Sequence, residues 1–169
     1  MSFSNIDNCS NACDKVCIQA KKVFDACLKQ MTQEGVTLVL TDMTPPNPTS
    51  PLTFVSGKSL SSVGTVTNLV VDRLPDKQKY GRVQCDVTIP VELTFVDANN
   101  AEGTGRGNLT VHEDVVMALP GPSIVPYEVE AVVSTVCPDG FYLGTASDAA
   151  GQTFSFSVVA CISIILKIV

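Results

Sequence analysis

From Val83 to Phe95 every odd-numbered residue is apolar (Val83, Cys85, Val87, Ile89, Val91, Leu93, Phe95) and nearly every even one is polar. Side chains on a strand alternate faces, so this period of two predicts a strand with one buried and one wetted face. The stretch Ala98-Asn99-Asn100-Ala101-Glu102-Gly103-Thr104-Gly105 follows, and its Asn and Gly residues tolerate the positive φ angles of a reversal. The return arm carries Leu109, Val111, Val115, Met117 and Leu119 on one face, completing a long hairpin over residues 82–119. Two strands sharing an apolar face need further strands to cover it. Pro90 lacks an N–H and is expected at a bulge or an unpaired edge of its strand.

The chain after Gly35 repeats this signature. Val36–Thr41, Leu52–Val55, Val63–Val71, the alternating set Tyr127/Val129/Ala131/Val133 and Thr153–Ile168 all predict strands. Between them lie a four-proline stretch from Met43 to Pro51 and a charged loop from Asp72 to Tyr80. A turn is expected at Cys137-Pro138-Asp139-Gly140 and a loop from Gly144 to Gly151. Strands in series without helical crossovers predict a mainly β, antiparallel domain over residues 35–169, a two-sheet sandwich or jelly roll.

Residues 1–34 read differently. Val16, Ala20, Val23, Cys27 and Met31 recur at spacings of three and four, while Lys15, Lys21, Lys22, Asp25 and Lys29 fall mostly on the other side. This predicts an amphipathic helix from about Asn11 to Met31, capped by Ser10 or Asn11 and ended near Gly35. An extended arm competes, because Val16, Ile18 and Ala20 also alternate. In both cases residues 1–34 form an N-terminal Cys-rich connector ahead of the β domain.

Composition narrows the function classes. Of 169 residues 45% are hydrophobic, only 17% are charged, and Trp is absent. A net charge of -6 with a pI near 4.6 gives no basic face for nucleic acid and no attraction to anionic membranes. So small a charged fraction suggests apolar surface covered by other copies of the chain. The N-terminus shows neither a basic nor an apolar leader pattern, and Val158–Val169 is too short to span a bilayer as a helix. The chain is therefore expected to be made in a cytoplasm without a signal peptide. Its seven cysteines, at 9, 13, 17, 27, 85, 137 and 161, sit awkwardly with a reducing compartment, and release by lysis of the mother cell would resolve that.

Catalytic and metal signatures are weak. His112 lies beside Glu113 and Asp114 but on the outward side of the return arm, as a solvent-facing strand residue would. Gly103-Thr104-Gly105-Arg106-Gly107 falls inside the hairpin rather than before a helix, against a phosphate cradle. Asp97 to Gly103 has oxygen ligands at some calcium-loop spacings, yet Ala101 stands where Asp or Asn is wanted, and a hairpin turn accounts for the stretch with less. Cys9, Cys13 and Cys17 are four apart, unlike zinc-binding Cys-x2-Cys pairs. Neighbouring cysteines on one helix face are ~5–6 Å apart at Cβ, too far for a bond. Either their partners are cysteines elsewhere, in this chain or another, or some are small buried hydrophobes, as free Cys often is. Cys85 belongs to the inward face, whereas Cys161 faces away from the Phe154/Phe156/Val158 set and is reachable.

The run Cys13-Asp14-Lys15-Val16-Cys17 to Ala26-Cys27, the strand Val87-Thr88-Ile89-Pro90-Val91 and the ending Ala160-Cys161-Ile162-Ser163-Ile164-Ile165-Leu166-Lys167 resemble a group of proteins from clostridial spore formers. Those join a Cys-rich N-terminal segment to a β domain, and the resemblance implies a spore-coat or spore-surface component. More loosely, the architecture is similar to endospore-appendage (Ena-type) subunits, whose Cys-bearing connectors cross-link jelly-roll domains into fibres. Together these readings predict a non-enzymatic subunit that self-assembles head-to-tail on a spore or cell surface, with other coat or surface proteins as further partners. Cys9, Cys13, Cys17, Cys27 and Cys161 are the candidates for disulfides between subunits; no cofactor or metal is expected. The alternative is a β-sandwich module binding a glycan or another coat protein, although three Tyr and no Trp offer little stacking surface for sugars.

Overall fold

A computed structural model describes residues 22–121 and 126–169. Its strands are β1 (Asp25–Leu40), β2 (Asp42–Thr44), β3 (Thr53–Ser59), β4 (Val63–Arg73), β5 (Tyr80–Val96), β6 (Glu102–Ala118), β7 (Val129–Asp148) and β8 (Gly151–Ile168). All pairings are antiparallel, and no helix occurs among the described residues. The central hairpin forms as its pattern requires: β5 and β6 pair from Tyr80↔Ala118 to Val96↔Glu102 without a register shift. Every odd position of β5 from Val83 to Phe95 is fully buried.

The eight strands make one sheet, seven of them in the order β1-β8-β7-β3-β5-β6-β2 with β4 off that path. β3 and β4 lie end to end between β5 and β7, each pairing with both. Pro90 sits where that side of β5 passes from β3 to β4: Ser59 pairs with Val91, Thr65 pairs with Thr88, and the Leu60 N–H donates to the Pro90 carbonyl at 2.9 Å. No ladder donor is missed there, which is why a proline is tolerated in the strongest strand.

The sheet curls on itself. Only Thr41 separates β1 from β2, so one chain segment borders β8 through β1 and β6 through β2. The Ala118 N–H donates to Asp25 Oδ2 at 2.7 Å and the Thr41 N–H to the Arg106 carbonyl at 3.1 Å, joining the two ends. Inside the curl, Phe95 on β5 and Phe156 on β8 bring their ring centroids to 6.5 Å although those strands are not neighbours in the sheet.

Four expectations are corrected. Residues Asp25 to Met31 are strand, not helix: they pair with β8 from Asp25↔Ile168 to Met31↔Ile162, and β1 runs unbroken past residue 34. The edge of β8 is the stronger partner, since its ladder satisfies both backbones at once. Gly35 marks a bulge in β1, at φ 66°, rather than a helix end. Lys22, Val23 and Phe24 have no regular structure, and the expected helix before them, with the region of Cys9, Cys13 and Cys17, lies outside the described residues.

Cys137-Pro138-Asp139-Gly140 is likewise a bulge inside β7, the register passing from Val136↔Cys161 to Asp139↔Val159. The extra residue accommodates Pro138 without a lost donor. Most of the expected 144–151 loop is strand; the turn shrinks to Ala149 and Ala150 before Gly151 at φ 126°.

Candidate functional site

The register of β1, β8, β7 and β4 assembles a surface on the outer face of the sheet. Leu28 lies opposite Ile165, Ile165 opposite Val132, and Val132 opposite Val63, so one apolar row crosses four strands. Its two ends are open to solvent, Leu28 at 58% and Val63 at 68% exposure. The next row but one holds Thr32, Cys161 and Val136. Cys161 is exposed, and the Thr32 hydroxyl donates to its Sγ at 3.9 Å. Between the rows the short side chains of Ser163 and Ser134 leave a shallow depression, bordered by Gln30, Thr32 and Cys161.

The other described cysteines differ in reach. Cys27 is on the inward face of β1 opposite Leu166 and is half-buried. It therefore shares no face with Cys161. All four described cysteines are free thiols. Cys85 is buried, as its parity required, and burial together with the nearby Glu113 and Asp86 carboxylates raises its pKa. Burial pushes the Cys137 thiol up to about 11. Both are held protonated near neutrality and are poor nucleophiles.

His112 is on the outer face, but its carboxylate partner is neither of its sequence neighbours. Nδ1 is 2.9 Å from Asp86 Oδ1 across the β5–β6 ladder, and Asn68 Nδ2 donates to Asp86 Oδ2 at 2.8 Å. Hydrogen bonds from Asn68 and then His112 hold the Asp86 carboxyl below its ordinary value. Asp114 instead takes a two-pronged contact from Arg82, at 2.9 and 2.6 Å. No hydroxyl or thiol side chain is hydrogen-bonded to His112 among the described residues.

The Asp97 loop is a turn. Its carboxylate accepts from the N–H groups of Asn99 (2.8 Å), Ala101 (2.9 Å) and Thr49 (3.4 Å). These donors hold the carboxyl below its ordinary value, Ala101 most of all. Its lone pairs are engaged by backbone, and no cluster of three or more metal-ligating side chains occurs among the described residues.

Glu113 was not anticipated. It falls on the inward face of β6 between Val111 and Val115 and is 1% exposed. Lys29 Nζ approaches its Oε2 at 3.7 Å, while Oε1 has no hydrogen-bond partner. The odd-position parity of the return arm was the signal that could have placed it.

No protein-family model matches the chain, and no curated protein or solved structure is significantly similar to it. No described helix is long and apolar enough to cross a membrane.

Proposed function

We propose that this chain is a non-enzymatic structural subunit that self-assembles, head-to-tail, into a fibre or lattice on a spore or cell surface. The supporting observation is the outer face of β1, β8, β7 and β4, where an open apolar row lies beside the exposed thiol of Cys161. An isolated soluble protein has little reason to keep both Leu28 and Val63 in water on one row. Burying such a row against another copy would gain about 25 cal/mol for each Å² of apolar area removed from water.

In this proposal the segment preceding β1 contacts neighbouring subunits, and Cys9, Cys13, Cys17 and Cys161 form disulfides between copies. Cys27, half-buried on the inward face, is the weakest of the five candidates. The contact between Phe95 and Phe156 supports a finer description of the curled sheet as two packed layers, as in a sandwich or jelly roll.

Leu28→Lys combined with Val63→Lys tests the proposal. Both positions are solvent-exposed, so the folded subunit should keep its circular dichroism and thermal midpoint. Sedimentation velocity should then show loss of assembly. Assembly unchanged in that variant would remove the outer face from the interface.

A further inference from the structure

The closed sheet has a seam. Pro90 has no N–H and its carbonyl is turned to Leu60, so Pro90 and Asn108 form a non-hydrogen-bonded pair of the β5–β6 ladder. Such pairs alternate with bonded ones along an unshifted antiparallel ladder. The N–H and C=O groups of Asn108, Thr110, His112, Asp114 and Val116 therefore point away from β5, toward β1. Arg106 and Ala118 have the same parity, and their outward groups are the ones taken by Thr41 and by Asp25. Between those two ends, β6 and β1 form no paired ladder among the described residues.

An ion pair reaches across the gap. Lys29 belongs to the inward face of β1, directly opposite the buried Ile164, yet its side chain is 45% exposed. A core-facing lysine that is half in water marks the rim of the packed interior at its level. From there it reaches the buried Glu113 at 3.7 Å. Cys85 lies directly across the ladder from Glu113, one strand further in.

We infer that this seam is where the closed sheet opens, with the Lys29–Glu113 pair as its latch. Opening admits solvent and small reagents to Glu113 and Cys85 while the remaining core stays packed. Local opening is expected where backbone hydrogen bonds are fewest. Cys137 provides an internal reference: it is as buried as Cys85 but sits where β3 and β7 are paired, at Gly57↔Cys137. Opening of the seam exposes Cys85 alone, whereas global unfolding exposes both.

The test is residue-resolved labelling of the pre-reduced, full-length protein with iodoacetamide, read by peptide mass spectrometry. In the unaltered protein Cys85 should react at least tenfold faster than Cys137. Lys29→Met should speed Cys85 by a further tenfold or more without changing Cys137, and Lys29→Arg should restore the original rate. Removing a cation beside Glu113 would by itself disfavour the Cys85 thiolate, so acceleration must come from access. Equal rates at Cys85 and Cys137 in the unaltered protein would overturn the inference. So would a rise at both thiols, or at neither, in Lys29→Met.

Discussion

Truncating Ile89 to Ala probes the parity on which the fold rests. Ile89 is fully buried, pairs with Leu109 across the hairpin, and belongs to the face of β5 that looks into the curl. The substitution removes buried methyl and methylene groups and leaves a cavity that neighbouring strands close only in part, at a cost of about 2–5 kcal/mol. That is a large share of the roughly 5–15 kcal/mol by which domains are stable. At about 2–4 °C per kcal/mol for a chain of this length, the midpoint should fall by about 4–20 °C. Thr88, one residue earlier, points outward between Thr110 and Thr65. Losing its cross-strand contacts costs about 0.2–1 kcal/mol, so Thr88→Ala should move the midpoint by no more than a few degrees. Thermal unfolding followed by far-ultraviolet circular dichroism in reductant measures both. Equal shifts would refute the assigned faces, because a slip of one residue exchanges every inward and outward side chain.

Acid should weaken the fold through Asp97. Its folded pKa is held below the ordinary 3.8 by backbone N–H donors, so its stabilisation is present above about pH 4 and is lost as pH falls through the folded value. Asp97→Ala should therefore be less stable than the parent at neutral pH, with the gap narrowing as pH falls below about 4 in denaturant titrations; a gap of constant size would contradict this. Deleting residues 1–21, which leaves β1 whole, should yield a folded, soluble monomer by sedimentation, and a truncated protein that still polymerises would place the assembly contacts elsewhere. Changing Cys9, Cys13 and Cys17 to Ser should leave assembly intact but let it dissolve in hot detergent without reductant, a difference visible on a non-reducing gel.

The hairpin was legible because its buried and wetted positions alternate without exception through β5. Cys161 was placed outward on the same logic, and the structure puts it there. The segment from Asp25 to Met31 was misread because a spacing of four, as between Cys27 and Met31, satisfies a helical face and an alternating strand equally. Only the β8 edge decides between them, and that is a long-range fact. Glu113 was hidden inside the polar run His112-Glu113-Asp114, which reads as solvent-facing until Lys29 is known to cross from β1. The apolar row from Leu28 to Val63 depends on the registers of four strands, which no local pattern encodes.

Negative-stain electron microscopy of the purified, unaltered protein tests self-assembly most directly. Regular fibres or ordered lattices built from a single repeating subunit are the predicted result. Monodisperse single particles of one-chain size, unchanged at high protein concentration and without reductant, would contradict it.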